Sequence, residues 1–371
     1  MGTHTRRGFI VQGGAAATAL AAAPLLVGAS NAGYAQGAQR KLGWAICGLG
    51  SLSEHQIAPA LQKAQFSRLA GVITDTPAKA AKWKEKYGLP DDAIFTYDTM
   101  AKLAENRDID VVYIVTPNAL HADQAALAFR AGKHVFCEKP MEVSVGRCQK
   151  MINDAKAANR KLGVAYRCQY DPNHLECIRL ARSKELGDIR FVEASFTVNI
   201  GGPDQWRLKR ALSGGGALVD VGIYALQAAR YLAGEEPIEV TALEGRTNAA
   251  KYAEVDESMI WQMRFPSGVI ASCSTSYEAG LSSRFRVHTS KGWFGLDPAF
   301  GYTGNRGMRS DGKQIALPAP DLFGAEMDDF SRCIIENRQS KVSGEEGLRD
   351  LKIMTAIYQA ARSGRAVKVS V

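Results

Sequence analysis

Trp44-Ala45-Ile46-Cys47-Gly48-Leu49-Gly50-Ser51-Leu52-Ser53 passes from four apolar residues directly into glycines and small side chains. A short apolar run of this kind reads as a buried strand. The glycine-rich break after it is the turn from which a helical pattern, about 54–64, sets out. The stretch fits the dinucleotide fingerprint G-x-G-x-x-G/A with Ser53 in the third place. Gly48 permits the tight turn, Gly50 lets a pyrophosphate approach the backbone, and the first amides of the helix meet its charge. Ser53 departs from the pattern but is small enough for close helix–strand packing. Alone, a G-x-G is an ordinary turn. Between a first strand and its helix, at the head of a βα array, it marks a nucleotide site.

The array continues. A second strand, 69–74, ends before Asp75-Thr76-Pro77, and a Lys/Ala-rich helix then runs to Tyr87-Gly88. A third strand, 110–115, is apolar almost throughout, as a strand covered on both faces must be. It ends in Thr116-Pro117-Asn118; a helix over 121–131 and a strand over 133–137 lead to Glu138-Lys139-Pro140. Strands alternating with helices predict an α/β fold with a doubly wound parallel sheet, assigned to residues 36–164. Thr74 at the end of the second strand and Lys79 on the next helix suit a 2′-phosphate and favour NADP. Asp75 is the opposing residue, since an NAD site places an acid there for the ribose hydroxyls.

With 371 residues, 46% of them hydrophobic, the chain can bury a substantial core, which excludes disordered, collagen-like and disulfide-stapled classes. The formal charge is +8 without any Lys/Arg run or stripe, so neither nucleic acid nor an acid-tail class is indicated. Ahead of the fold, Thr5-Arg6-Arg7-Gly8-Phe9-Ile10 precedes a Gly/Ala-rich apolar run reaching about Val27, and Gly33-Tyr34-Ala35 offers a cleavage site. Residues 1–35 therefore read as a twin-arginine export signal, with the twin-arginine translocase as partner and the periplasm as destination. The run is too short and weakly apolar for a comfortable membrane span, so no membrane association is expected after processing. That route exports folded proteins, so a bound nucleotide would be loaded beforehand. The seven cysteines are scattered without a C-x-x-C pair and are expected to be buried thiols. The histidines share no ligand spacing, so no metal is expected.

The second half, 165–371, holds alternating or β-branched runs at 191–200, 238–244, 259–265, 269–277 and 284–289, with a helical pattern at 217–232. Asp220 and Tyr224, four apart in that helix, share a face.

Through its glycine turn, Thr116-Pro117-Asn118, His121 and Glu138-Lys139-Pro140, the chain resembles the Gfo/Idh/MocA oxidoreductases. Ala165-Tyr166-Arg167-Cys168, Gln205-Trp206-Arg207-Leu208, Gly214-Gly215-Gly216, Asp220-Val221-Gly222-Ile223-Tyr224 and Gly344-Glu345-Glu346-Gly347 resemble its glucose–fructose and aldose–aldose branch. The resemblance covers nearly all residues after 40. It implies a Rossmann domain followed by an α+β domain with a large, mostly antiparallel sheet, whose face is a common homodimer surface, with a tetramer also open. It implies cofactor contacts from Gly48, Gly50, Ser51, Leu52, Thr116, Asn118, His121 and Glu138, and from Arg167, Trp206, Arg207 and Tyr302. Lys139, Tyr224 and Asp220 are then the catalytic set, with Tyr166 joining them at the substrate.

Lys139 stands at the carboxyl end of a parallel strand, where open α/β sheets place their sites. Tyr224 occupies the place of a histidine in many members, and in this branch tyrosine is the acid/base. A phenol titrates ordinarily near 10, and the Lys139 ammonium is expected to lower that value for Tyr224. Asp220 binds sugar hydroxyls or orients its neighbours. The implied activity oxidises an aldose at C1 to an aldonolactone and reduces a second sugar to an alditol on tightly bound NADP(H), by ping-pong kinetics. A dehydrogenase with exchangeable cofactor and a non-catalytic nucleotide-binding module are the alternatives.

Overall fold

The computed structural model describes residues 40–371. The export signal expected over 1–35, and residues 36–39 of the first domain, lie outside the described residues.

The first half is a six-stranded sheet with helices on its faces. Its elements are β1 (Leu42–Cys47), α1 (Ala58–Lys63), β2 (Ser67–Ile73), α2 (Pro77–Tyr87), β3 (Ile94–Phe95), β4 (Val111–Ile114), α3 (His121–Arg130), β5 (His134–Cys137), α4 (Val145–Ala157) and β6 (Leu162–Val164). All pairings are parallel, in the order β3-β2-β1-β4-β5-β6. The expected α/β doubly wound sheet is therefore present. The run at 110–115 is its fourth strand, because β3, only two residues long at the sheet edge, carries no periodic signal. Every residue of β4 is buried, which is why that run lacks polar alternation. The direction of winding reverses between β1 and β4, and the crevice for a ligand opens at their carboxyl ends.

The second half comprises α5 (Pro172–Ser183), β7 (Ile189–Asn199), α6 (Arg210–Ser213), α7 (Ile223–Ala233), β8 (Glu239–Gly245), β9 (Ser258–Arg264), β10 (Ile270–Ser276), β11 (Glu278–Thr289), β12 (Gly292–Leu296), β13 (Gly307–Arg309), β14 (Gln314–Ile315), α8 (Leu322–Ile335), α9 (Gly344–Ser363) and β15 (Val367–Lys368). Its nine strands run β14-β13-β12-β11-β7-β10-β9-β8-β15, antiparallel except for β7 beside β10. One face packs on α7 and α9; the other is open. The alternation in β9 records this: Met259, Trp261 and Met263 are buried while Ile260 between them is 56% exposed.

β6 ends at Val164, beside the 164/165 boundary read from the sequence, yet the chain later returns to the first half. In α8, Phe330 meets Trp44 edge-on with ring centroids 6.0 Å apart, and the Trp44 indole N–H donates to Ser331 at 3.0 Å. The Asp328 carboxylate accepts the backbone N–H groups of Gln65 and Phe66. Tyr113 and Phe136 complete an aromatic cluster around Trp44. All seven cysteines are buried and unpaired. Among the described residues, no helix is long and apolar enough to cross a membrane.

Candidate active site

A cleft of about 550 Å³ lies between the carboxyl ends of the parallel strands and the second sheet. Its first wall is the turn after β1. Gly48 has φ of +100°, and a Cβ there would come 2.9 Å from Thr116 Cγ2 and 3.0 Å from the Val115 carbonyl, so only glycine fits. Ser53 Oγ donates to the Gly48 carbonyl at 2.6 Å and closes the turn, a bond the usual third glycine cannot make. A Cβ on Gly50, which lines the cleft, would meet nothing within 4 Å. The bare backbone thus leaves a cradle that a side chain would partly fill. Behind it the helix starts at Ser51 and passes into a π-type turn, Ser53–Ile57, with the Glu54 N–H already donating to the Gly50 carbonyl at 3.0 Å. The amides ahead of Glu54, in the first turn of the helix, are the ones that suit an anionic pyrophosphate.

Around this cradle the expected residues assemble. Ser51, Leu52, Thr116, Asn118, Glu138, Lys139, Arg167, Trp206, Arg207, Asp220, Tyr224 and Tyr302 all line the cleft. Four others do not. Tyr166 is 2% exposed and its phenol faces Asp350 and Tyr231 behind the wall, where burial pushes its pKa well up. It is not placed to touch a substrate. His121 is fully buried, with one ring nitrogen at the Thr116 carbonyl (2.9 Å) and the other at the Met141 carbonyl (3.1 Å). It ties the turn after β4 to the loop after β5 and does not line the cavity. Thr74 is buried at the end of β2 with its hydroxyl accepting from the Thr76 N–H at 3.2 Å, while Lys79 lies exposed on α2. Neither lines the cleft. Asp75, the acid that would argue for NAD, has one carboxylate oxygen taken by the Tyr97 N–H at 2.8 Å.

The three residues expected to be catalytic meet at one point. The π-type turn Leu218–Gly222 leads into α7, and it presents Asp220 and Tyr224 on the cleft side together, as their spacing requires. The start of this segment is pinned by Asp256, 3% exposed, which accepts from Gly216 N (2.6 Å), Leu218 N (2.8 Å) and the Tyr358 hydroxyl (2.5 Å). Lys139 Nζ donates to the Asp220 carbonyl (2.6 Å) and to Asp220 Oδ1 (2.9 Å). Asp220 Oδ2 accepts from the Tyr277 hydroxyl (2.8 Å) and Arg207 Nε (3.1 Å). Burial works against ionisation of Asp220, but Lys139 and Arg207 outweigh it and hold its carboxyl well below the ordinary range. A carboxylate saturated by three side-chain donors is a poor base. Of its two expected roles, the contacts describe the orienting one. Burial likewise disfavours the Lys139 cation, and Asp220 above all, with Glu138, reverses this and keeps it charged.

Tyr224 corrects one expectation. Lys139 Nζ stands 5.1 Å and the Arg167 guanidinium 4.9 Å from the centre of its ring, and both favour phenolate. Burial is the larger effect, and the phenol pKa is raised, not lowered. Tyr224 is a protonated phenol at neutral pH. Arg167 also lies 4.8 Å from the Tyr302 ring and donates to the Phe300 (2.7 Å) and Gly301 (2.8 Å) carbonyls. It is clamped between two aromatic faces and aligns the segment that carries Tyr302. The Arg207 guanidinium sits 4.7 Å from the Trp206 ring, leaving the indole beside the cavity as a flat apolar surface for a sugar ring.

Sequence reasoning missed Tyr277 and Glu326. Tyr277 is wholly buried at the end of β10 and orients Asp220. Glu326 is wholly buried in α8 and borders the cleft. Its signal was present: 323, 326, 327 and 330 form a core-facing helical stripe. Among the described residues no three His, Cys, Asp or Glu side chains converge as a metal site.

The comparisons agree with this geometry. The model of an oxidoreductase family with an NAD-binding Rossmann fold matches residues 42–166, and the GFO/IDH/MocA C-terminal domain model matches residues 174–295. A D-xylose 1-dehydrogenase [NADP(+)] of Haloarcula marismortui is 30% identical over 335 residues, 88% of this chain and 92% of that protein. A 1,5-anhydro-D-fructose reductase of Ensifer adhaerens is 23% identical, over 88% of this chain and 98% of the reductase. The crystal structure of an aldose–aldose oxidoreductase from Caulobacter crescentus complexed with glycerol superposes with a TM-score of 0.86 at 42% identity, covering 89% of this chain and 100% of that one. The chain belongs to the Gfo/Idh/MocA family of NAD(P)-dependent oxidoreductases.

Proposed function

We propose that this protein is a periplasmic sugar oxidoreductase that holds NADP(H) tightly, oxidises an aldose at C1 to an aldonolactone and reduces a second sugar to an alditol. The observation that carries the reading is the convergence of Lys139, Asp220 and Tyr224 in one cleft with the Gly48–Gly50 turn. Likeness to an aldose–aldose oxidoreductase at 42% identity supports the choice of reaction. The NADP(+)-specific name of the xylose dehydrogenase supports the choice of nucleotide. Asp75, with one oxygen already engaged, is in keeping with it.

When bound, the nicotinamide accepts and returns the hydride. The protein holds C1 against it and moves the proton. In the oxidation step Tyr224 acts through its phenolate, the minority form at neutral pH, which takes the anomeric hydroxyl proton as C1 becomes a lactone carbonyl; in the return step the phenol so formed gives that proton to the carbonyl oxygen of an open-chain sugar. Lys139, kept cationic by Asp220, stabilises negative charge on the reacting oxygen. Tyr277 and Arg207 hold Asp220 so that Lys139 stays aimed. Trp206 supplies an apolar wall, and the Arg167 clamp keeps Tyr302 and Tyr224 on opposite sides of one cation.

The Arg6-Arg7 signal supports export by the twin-arginine translocase, and a compartment without a nucleotide pool suits a cofactor reduced and reoxidised in place. Exposure of Leu243 (73%), Ile260 (56%) and Ile270 (50%) on the open face of the second sheet supports self-association as a homodimer. The test is incubation of purified protein with paired sugars and no added nucleotide. Lactone and alditol in equal amounts, with ping-pong kinetics, are expected. Turnover only when NADP is added would instead give the exchangeable-cofactor dehydrogenase that the xylose dehydrogenase relative favours.

A further inference from the structure

The floor of the cleft holds a second carboxyl group that the chemistry above does not use. Glu326 has no exposed surface, and its Oε2 has no hydrogen-bond partner. Its Oε1 lies 3.5 Å from the Tyr113 hydroxyl, whose proton is already directed at Glu138 Oε1, 2.9 Å away. Glu138 Oε2 accepts the Lys139 N–H at 3.1 Å, so Glu138 fixes the backbone from which Lys139 reaches Asp220. Two glutamates thus converge on one phenol oxygen, and Tyr113 has one proton for both. An ionised carboxylate buried without a donor is far costlier than a neutral acid.

We propose that Glu326 is a positioning residue that stays a neutral carboxylic acid, forming with Tyr113 and Glu138 a buried unit in which only Glu138 is charged. The inference rests on the proposed reaction only for its consequence; the protonation state belongs to the chain itself. The unit locks Glu138 against the Lys139 N–H and leaves Lys139, Arg167 and Arg207 facing the charges of Asp220 and Glu138 alone. The cleft so keeps an excess of positive charge for the oxyanion developing on a sugar.

The groups facing Glu326 are Glu138 from the end of β5, Tyr113 from β4, and Arg167, Cys168 and Tyr170 from the turn after β6. Burial is the main influence and Glu138 adds to it, both favouring the protonated form. Arg167 opposes them, but its guanidinium is spent on Phe300, Gly301 and two aromatic rings.

The test is infrared difference spectroscopy of the purified holoenzyme, wild type against Glu326→Gln, followed through an alkaline pH titration. One protonated-carboxyl stretch present at neutral pH in the wild type and missing from Glu326→Gln is expected. In Glu138→Gln the same stretch should disappear at lower pH, because the neighbouring charge that keeps Glu326 protonated has gone. In sugar turnover, the alkaline decline due to ionisation of Glu326 should be lost in Glu326→Gln and kept in Glu326→Asp. No difference in the stretch between wild type and Glu326→Gln, or an unchanged midpoint in Glu138→Gln, would overturn the proposal. Both spectra are read without turnover, so an absence of sugar exchange would refute the proposed function and leave this inference standing.

Discussion

Replacing Asp220 by Asn tests the core of the site, because it removes one charge and little volume. The carboxylate meets Lys139 Nζ at 2.9 Å and Arg207 Nε at 3.1 Å, with side-chain exposures of 13% for Lys139, 22% for Asp220 and 40% for Arg207. Taking away one partner of a buried pair costs roughly 3–5 kcal/mol, because the other charge stays buried alone. Arg207 can turn to water, so the lower end, about 3 kcal/mol, is expected for Asp220→Asn. The amide also brings an N–H₂ toward a site furnished only with donors, and Lys139 loses its aim. A misplacement of this kind lowers kcat/KM by about a hundredfold.

The pH dependence identifies the cause. The Asp220 carboxyl is held below its ordinary value, so its contribution is complete above about pH 4 and is lost as the pH falls further. Lys139 is held above its ordinary value, so its contribution is complete below about pH 10 and is lost as the pH rises through the folded-state value. The stability gap between wild type and Asp220→Asn should therefore be flat across neutral pH and close in acid. Chemical denaturation at matched cofactor occupancy measures it, since unequal ligand would shift stability by mass action. A gap that is absent at neutral pH, or that persists unchanged into acid, would refute the ion-pair account.

Tyr224→Phe should fold normally and lose about 10²–10⁴ in kcat, the usual worth of a positioned acid/base. With the wild-type phenol pushed up by burial, sugar reduction should be flat through neutral pH while sugar oxidation rises with pH. Stopped-flow half-reactions report each limb, and a fall in oxidation with rising pH would speak against Tyr224 as the base. Gly216→Ala would set a Cβ 2.0 Å from the Asp256 carbonyl oxygen and force apart the anchor of the Asp220 segment. A loss of about 1–3 kcal/mol by thermal or chemical unfolding is expected. Gly50→Ala meets no neighbouring atom, so melting of cofactor-free protein should be unchanged while bound nucleotide per chain, read by absorbance after gel filtration, falls.

What the sequence disclosed follows from which forces act locally. β1, β4 and β5 are apolar over nearly their whole length because they are covered on both faces, and the glycine turn shows itself through backbone geometry that only glycine meets. β3, β14 and β15 have two residues each, and their pairing is decided by partners far away in the chain, so no window of sequence contains them. Most of the residues that line the candidate site were readable as residue types at strand ends and on one helix face. What escaped was the environment: Tyr166 and His121 differ from lining residues only in the direction they point, and the pKa of Tyr224 turns on a burial that spacing does not report. Glu326 stands among the acids of Glu326-Met327-Asp328-Asp329 and passes for a surface charge until its place on the α8 stripe is counted.

The return of α8 to the first sheet has a mechanical corollary. The polypeptide goes over to the second sheet after β6, returns to the first in α8, and crosses once more so that β15 pairs with β8, with α9 touching both halves on the way. The two walls of the crevice are therefore tied at three separate places, an arrangement that opposes their full separation and favours guests short enough to enter at the rim over long ones laid along the seam.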